Sequence, residues 1–406
     1  MKGEEPRVIT VEDREAGLLG WVVIDSAVAG QSSGGLRMHP RVDDTELRLL
    51  ARTMTRKYAF LGMPKGGAKA GIRHDPEDDP ERVFDLLARF GRVIRPLILS
   101  RAYIPGPDMG TDDERIRALF RASGAPFRPG DLWRYELSGR FTAAGVTESF
   151  FRAVAALGIP EKDLSVAVEG VGAVGLEAAR MLARRGVRIA AIANAYGRIA
   201  KAGGIDPEDW AGFARRAGCE KIAGFPGATP LTHEEFLALP VTAFLPCATI
   251  HTIDEKDAGR LAAPVIVPGA NDPLAPGARS ALEARGVLVL PDFVVNAGGV
   301  LGGALAHAGI GETEVLERTS ALIGDVVEHL LRRSDSLGAA PAALAERLAH
   351  TRRERAVRGL RPRLLLLGLV LQRTGLLFPA ARRAAARRYA AGLAKSLARD
   401  IDAIRT

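Results

Sequence analysis

The chain has 406 residues, enough for two domains with full cores, and its 47% hydrophobic and 26% charged residues are ordinary for a globular protein. Its formal net charge of +8 is concentrated in the segment from Pro341 to Thr406, with fifteen Lys/Arg against four Asp/Glu, so the rest is slightly acidic and nucleic-acid binding is not expected from the global charge. Two cysteines, Cys219 and Cys247, exclude a disulfide framework, no run approaches the roughly 18–20 apolar residues of a membrane span, and Met-Lys-Gly-Glu-Glu-Pro lacks a signal peptide's apolar run, so the expected location is cytoplasmic.

Leu18–Val28 and Gly34–Met38 read as β-prone runs joined by the small residues Ala29–Ser33. A helix is expected over Asp43–Ala59, where Leu47, Leu50, Ala51, Met54 and Tyr58 recur on one side. It leads into Met63-Pro64-Lys65-Gly66-Gly67-Ala68-Lys69-Ala70-Gly71. Glycine serves where the backbone approaches a neighbour closely or takes a positive φ, and a lysine held there loses solvation and pKa. Taken alone, the stretch fits either a ligand-binding segment or a glycine-rich surface turn with a solvated lysine. Pro80–Ile94 reads as a second helix and Leu97–Ile104 as a strand ending in Pro105-Gly106-Pro107-Asp108-Met109-Gly110-Thr111. Asp108 is well placed there for chemistry, and equally suited to forming the turn.

Gly124–Gly139 is polar and rich in Pro and Gly, as a connection between domains would be, and Phe141–Leu157 is helical. Next come a strand (Leu164–Glu169), the GxGxxG turn Gly170-Val171-Gly172-Ala173-Val174-Gly175, a helix (Leu176–Arg185) and a strand (Val187–Asn194). That order is the context a dinucleotide-binding fingerprint requires, with the pyrophosphate at the helix N-terminus. The acid expected at the end of the second strand is replaced by Asn194, which does not repel a 2′-phosphate, and Arg198 or Lys201 would attract one. NAD and NADP both stay open as cofactors. Val241–Leu245, Val265–Val267 and Val287–Leu290 are further strands, ending in Pro246-Cys247-Ala248-Thr249, Pro268-Gly269-Ala270-Asn271-Asp272 and Asn296-Ala297-Gly298-Gly299-Val300. In open α/β sheets ligands lie at such carboxyl ends.

Thr313–Arg333 is helical, Arg352–Arg363 is dense in arginine, Leu364–Phe378 is apolar but interrupted by Gln372 and Arg373, and Ala380–Arg405 has helical spacing. The favoured reading of this tail is packing on the body or on a partner subunit. An anionic membrane surface or a nucleic acid is the alternative contact, and neither is expected. The seven histidines are scattered without metal-ligand spacing, and no metal site is expected.

Over roughly residues 15–310 the chain resembles the glutamate/leucine/phenylalanine/valine dehydrogenase superfamily. The resemblance is carried, in order, by Gly34-Gly35-Leu36-Arg37-Met38, Met54-Thr55-Arg56-Lys57, Gly66-Gly67-Ala68-Lys69, Pro107-Asp108-Met109-Gly110-Thr111, Thr142-Ala143-Ala144-Gly145-Val146, the glycine turn and Asn296-Ala297-Gly298-Gly299-Val300. The twelve-residue step from Lys57 to Lys69 fits it as well. The resemblance implies two α/β domains with a cleft between them: substrate binding and oligomerisation over 1–139, and a Rossmann dinucleotide-binding domain over 140–335. A basic helical segment, 336–406, would pack back on the body. It also implies site roles. Lys57 and the Gly34–Gly35 backbone would hold the substrate α-carboxylate, and Lys69 would be the low-pKa catalytic lysine. Asp108 would exchange protons with the amino group. Thr142, Gly170, Gly172, Gly175, Asn194, Asn271 and Asn296 would line the cofactor.

In glutamate dehydrogenases a lysine precedes the Gly-Gly-Leu/Ile-Arg motif and pairs with the substrate side-chain carboxylate. Here that position is Ser33, and a carboxylate buried without a cation costs several kcal/mol. The resemblance is nearer the leucine/phenylalanine/valine branch. It implies reversible NAD(P)-dependent oxidative deamination of an apolar, aromatic or unusual L-amino acid, not glutamate, to the 2-oxo acid and ammonia, by a homo-oligomer. The alternative is a catalytically silent nucleotide- or amino-acid-binding protein on the same scaffold, motivated by Ser33, Asn194 and Pro268.

Overall fold

The computed structural model describes residues 5–125, 135–217, 222, 224–359 and 379–405. The chain divides into two compact units. The first comprises 1–137, 303–310 and 348–389, and the second 138–302, 311–347 and 390–406. The segment after 335 is thus shared out between the two.

The first unit is built on a five-stranded sheet in the order β1-β2-β4-β3-β5. β1 (Arg7–Asp13) and β2 (Leu18–Ile24) form an antiparallel hairpin, and β2 runs antiparallel to β4 (Gly66–Ile72). β4, β3 (Ser32–Met38) and β5 (Ile104–Pro107) are mutually parallel neighbours. β1 precedes the first strand expected from the sequence. α1 (Asp44–Phe60) begins where the Asp43 carboxylate accepts from the Glu46 N–H, satisfying one of the free donors of the first turn. α2 (Pro80–Val93) turns Val83, Leu86, Leu87 and Phe90 into a core shared with Leu36, Met38, Ala70 and Ile72. α4 (Asp113–Ser123) adds Ile116 and Leu119.

The strand expected over Leu97–Ile104 is mostly helix: α3 spans Arg95–Ser100. Pro96 sits in its first turn, where the missing N–H costs nothing, and this outweighs the β preference of the apolar residues behind it. Arg101 ends the helix in the left-handed region at φ 64°, and the strand begins at Ile104.

The glycine-rich stretch is not a surface turn. From Gly66 onward it is β4, buried along the whole strand inside the sheet. A Cβ on Gly67 would lie 2.2 Å from the Thr55 backbone nitrogen and 2.4 Å from the Ala51 carbonyl, so α1 rests directly on the strand backbone. Gly67→Ala is therefore expected to destabilise the protein by about 1–3 kcal/mol through overpacking, read as a lower denaturant midpoint at unchanged m.

The second unit carries a seven-stranded sheet in the order β12-β11-β10-β6-β7-β8-β9. β6 (Ser165–Glu169), β7 (Arg188–Asn194), β10 (Ala243–Pro246), β11 (Val265–Ile266) and β12 (Leu288–Val289) are parallel neighbours, as a doubly wound nucleotide fold requires. β8 (Gly197–Ala200) and β9 (Thr229–Pro230) extend it antiparallel. The helices are α5 (Tyr135–Ala156), α6 (Gly175–Arg184), α7 (Pro207–Ala217), α8 (His233–Leu237), α9 (Glu255–Arg260), α10 (Ala278–Ala284), α11 (Asp292–Val295), α12 (Gly298–His307) and α13 (Glu312–Leu337). Of these, α12 contributes only its first five residues to this unit. Phe236, Phe244, Ile266 and Val289 share one core on the sheet.

Two more helices, α14 (Pro341–Gly359) and α15 (Pro379–Asp402), complete the described chain. In the first unit the Tyr389 hydroxyl donates to the Leu61 carbonyl at 2.6 Å, and buried Arg352 packs over Gly62. The apolar run 364–378 and residues 360–363 of the arginine-dense stretch lie outside the described residues. Among the described residues no helix is long and apolar enough to cross a membrane.

Candidate active site

In the first unit the sheet register brings the sequence-selected polar residues onto three adjacent strands. Lys69, in β4, is 3% exposed, and its Nζ lies 2.5 Å from Asp108 Oδ2, just beyond β5. Arg37, in β3, donates from Nε to the same carboxylate oxygen at 3.1 Å and pairs with Glu46 of α1, which His39 Nε2 also contacts at 2.9 Å. The Asp108 turn is fixed on both sides. Thr111 Oγ1 accepts from the Asp108 N–H at 2.9 Å and donates to the Leu36 carbonyl at 2.6 Å. Two glycines let this turn sit against β3: a Cβ on Gly35 would be 2.7 Å from Asp108 Cβ, and one on Gly110 1.9 Å from the Met38 carbonyl.

The electrostatics follow from this packing. Burial drives the Lys69 ammonium pKa below its usual 10.5, and the charge of Arg37 adds to that, while Asp108 opposes it. Burial by itself would raise the Asp108 carboxyl, but Arg37 and Lys69 outweigh it and hold the group well below the usual carboxylate range. The cluster therefore contains a lysine biased towards its free amine beside a carboxylate that stays ionised.

Ser33 lies on β3, two residues before Gly35, with its hydroxyl donating to the Ile104 carbonyl at 3.0 Å. The buried Tyr58 hydroxyl of α1 also hydrogen-bonds Ser33, and burial raises its pKa to about 12. Gly34 is packed so closely that a Cβ would be 1.7 Å from the Ala68 carbonyl, and its own carbonyl accepts from Tyr103 at 3.2 Å. Lys57 is buried in the last turn of α1.

In the second unit the three turn glycines have three different surroundings. Gly170 has φ 91°, which a side chain would strain, and a Cβ would be 2.6 Å from the Ala248 backbone. At Gly172 a Cβ would meet nothing within 4 Å, so space lies open above that backbone. At Gly175 a Cβ would be 1.9 Å from the Gly170 carbonyl, so α6 closes tightly on the turn. Tight turn, open approach and close helix packing are the three jobs glycine does in a dinucleotide fingerprint.

Asn296 follows α11 and is 2% exposed. Its Nδ2 donates to the Ala270 carbonyl at 2.9 Å and stands 3.3 Å from Asn271 Oδ1, whereas its Oδ1 is a buried acceptor without a hydrogen-bond partner among the described residues. A ligand amide N–H would satisfy that oxygen, as the amide of a nicotinamide does chemically. Thr142 is brought beside this loop: a Cβ on Gly299 would be 2.5 Å from Thr142 Oγ1. Asn194 ends β7, and its Oδ1 accepts from the Tyr196 N–H at 2.9 Å. The residues present thus fit a nicotinamide dinucleotide.

Two sequence profiles match consecutive parts of the chain. The dimerisation domain of Glu/Leu/Phe/Val dehydrogenases matches residues 6–123, and the Glutamate/Leucine/Phenylalanine/Valine dehydrogenase domain matches residues 135–337. The chain belongs to the glutamate/leucine/phenylalanine/valine dehydrogenase family. It is an amino acid dehydrogenase of that family. A glutamate dehydrogenase of Aeropyrum pernix is 34% identical over 296 residues, 70% of each chain. The NADP-specific glutamate dehydrogenase A1 of Halobacterium salinarum is 33% identical over 284 residues, 67% of each chain. The hetero-hexameric glutamate dehydrogenase of Thermus thermophilus in its Leu-bound form superposes with a TM-score of 0.75 at 25% identity, covering 89% of this chain and 90% of that one.

Within this dehydrogenase the structure adds residues that the sequence reading left without a role. Arg37 stood inside a quoted motif, but its bridge from Asp108 to Glu46 depends on tertiary contact alone. Tyr58 was counted only as part of a helical apolar face, yet its hydroxyl reaches Ser33. Glu169 ends β6 immediately before the glycine turn and accepts from Thr252 Oγ1 at 2.7 Å, and burial raises its carboxyl pKa. None of these left a sequence signal beyond residue type.

Proposed function

We propose that this dehydrogenase catalyses the reversible NAD(P)-dependent oxidative deamination of an L-amino acid other than glutamate. The observation that carries the reading is the buried contact between Lys69 Nζ and Asp108 Oδ2 at 2.5 Å, with Arg37 on the same carboxylate. A purely structural ion pair gains little from such burial, because desolvation offsets the attraction. A proton-transfer pair gains a lysine biased towards its free amine beside a carboxylate that is ionised and open to a proton.

In this reading Lys57 and the backbone of Gly34 and Gly35 hold the α-carboxylate, and Ser33 faces the side chain. Asp108 accepts a proton from the substrate ammonium. Thr142, Gly170, Gly172, Gly175, Asn194, Asn271 and Asn296 would hold the dinucleotide, which would supply the hydride acceptor. The free amine of Lys69 then takes a proton from a water whose oxygen attacks the imino carbon. Asp108 returns its proton to the departing nitrogen, the C–N bond breaks as the carbonyl forms, the hydroxyl proton passes back to the Asp108 carboxylate, and ammonia and the 2-oxo acid leave. kcat/KM is expected to rise with pH to a plateau whose midpoint lies below the usual lysine value of 10.5, because the active form of Lys69 is the free amine.

Ser33 supports the exclusion of glutamate. Its hydroxyl is turned to Ile104 and it carries no charge to meet a γ-carboxylate. Asn194 supports use of either cofactor, and the relatives' names specify both NADP and NAD. Assembly into a homo-oligomer through the dimerisation domain is part of the same reading. The test is an initial-rate screen of L-amino acids with NAD and NADP. The reading expects turnover of at least one non-glutamate amino acid well above glutamate, and glutamate as the best substrate would overturn the specificity. Gly175→Ala is expected to raise the cofactor KM about tenfold or more, since α6 would be pushed off the turn, with a titration of NAD(H) fluorescence as the check.

A further inference from the structure

We propose that Lys65 and Arg101 form a subsite for the terminal carboxylate of a substrate side chain longer than that of glutamate. The inference rests on the functional reading above and names the class of amino acid within it.

Three neighbouring strands bring the residues together. Gln31 directly precedes β3, Lys65 directly precedes β4, and Arg101 lies in the turn before β5. Ser32 pairs with Gly66, and the Ser32 hydroxyl donates to the Ala102 carbonyl, so the three positions share one end of the parallel strands. The Gly66 N–H donates to the Gln31 carbonyl at 2.9 Å, and Arg101 Nε contacts Gln31 Oε1 at 3.4 Å. Neither Lys65 nor Arg101 has an ion pair among the described residues. The cations of the catalytic cluster differ in this respect, for Lys69 holds Asp108 and Arg37 holds both Glu46 and Asp108.

Two cations gathered without an acid are an incomplete arrangement. Burial, and then the charge of Arg101, bring the half-buried Lys65 ammonium down to about pKa 8. A bound anion would reverse both penalties, restoring a partner for the desolvated charge and screening one cation from the other. Gln31 supplies a fixed acceptor that orients the guanidinium without neutralising it.

Position selects the anion. Between the Ser33↔Gly67 and Leu36↔Ala70 pairs, Lys69 lies level with Gly35. Moving back along β3 from Gly35 to Ser33 to Gln31 therefore runs from the catalytic lysine to the cation pair. That is about 13 Å of strand, of which the extended Lys65 and Arg101 side chains span a part. The functional reading puts the reacting carbon at Lys69 and the side chain at Ser33. Ser33 is small and its hydroxyl is already engaged, so a chain passing it finds no cation there. The next cations along the strand direction are Lys65 and Arg101. A glutamate side chain, about 4 Å from Cα to its terminal carbon, stops short of Ser33; two further methylenes add about 2.5 Å and bring the carboxylate level with Ser33, towards the extended Lys65 and Arg101 side chains.

The test compares L-aspartate, L-glutamate, L-2-aminoadipate and L-2-aminopimelate with the neutral chains L-norleucine and L-2-aminooctanoate, using the full-length enzyme and both cofactors. kcat/KM is expected to peak at 2-aminoadipate or 2-aminopimelate. Lys65→Met and Arg101→Gln should each lower the acid-over-neutral ratio of kcat/KM about 10- to 100-fold, mainly through KM, the range a lost charge-assisted hydrogen bond produces. Lys65→Met removes a half-buried like charge, so its melting temperature should not fall, which separates loss of recognition from loss of fold. Neutral chains preferred at every length, or an equal loss on acidic and neutral substrates, would overturn the subsite while leaving the dehydrogenase reading intact. Lys65-dependent thermal stabilisation by inorganic phosphate without any acidic preference would overturn it in favour of a free-anion site. Absence of turnover with every amino acid would overturn the functional reading and the subsite together.

Discussion

Replacing Lys69 with methionine is expected to lower kcat by about 10³-fold or more, within the range general-base removal produces, and to leave the fold intact. Methionine is close to lysine in volume and needs no counter-charge in a site that is 3% exposed. The substitution also removes the rising limb of the pH profile, because no other group in the cluster is a lysine biased towards its free amine. A variant that keeps the native pH dependence would separate Lys69 from the proton transfer. One that loses both turnover and thermal stability would mark it as a structural residue.

Asp108→Asn has a second large effect and a different signature. It removes the proton acceptor, for an expected loss of about 10²- to 10⁴-fold in kcat, and leaves the Lys69 ammonium without its partner. Breaking a buried pair from one side costs about 3–5 kcal/mol, but Lys69→Met leaves Asp108 still paired with Arg37, so Asp108→Asn should be the more destabilised of the two. The double variant, with neither charge, should recover much of that loss, a coupling measurable by denaturant unfolding of all four proteins.

The pH dependence of stability carries the same sign. The Asp108 carboxyl is depressed in the folded state, so its contribution is fully present above the unfolded carboxylate pKa of about 4 and is lost as the pH falls through the folded value. Glu46 is also depressed: burial alone would raise it, but the hydrogen bond from His39 and the charge of Arg37 prevail. Native protein should therefore lose stability below about pH 4 more steeply than Asp108→Asn does.

Much of the second unit was legible because a parallel sheet writes itself as short apolar runs with functional loops at their carboxyl ends. The strands β6, β7, β10, β11 and β12 fall within one or two residues of the expected runs. β4 was harder. Gly66-Gly67-Ala68-Lys69-Ala70-Gly71 has low strand propensity, and it is a strand only because α1 needs a bare backbone to lie on, a tertiary demand that propensity does not encode. α3 was misread for the opposite reason: Leu97-Ile98-Leu99 prefers a strand in isolation, and Pro96 together with the left-handed Arg101 frames it as a short helix.

The candidate site divides along the same line. Lys69 and Asp108 were visible from residue type and motif, and they meet across β3, which lies between their two segments in the sheet. The links that tune them, from Arg37 through Glu46 to His39, join residues whose spacing predicts nothing. Lys65 lies inside the glycine-rich stretch, where residue type alone assigns it no role. Its lack of an ion pair among the described residues becomes visible only when Gln31 and Arg101 are folded beside it.

The most direct measurement is the stoichiometry of a single reaction mixture. Native enzyme, its best L-amino acid and oxidised cofactor should yield reduced nicotinamide, ammonia and 2-oxo acid in equal amounts, and Lys69→Met should yield almost none of the three. Reduced nicotinamide formed without ammonia, or an unimpaired Lys69→Met enzyme, would contradict the account.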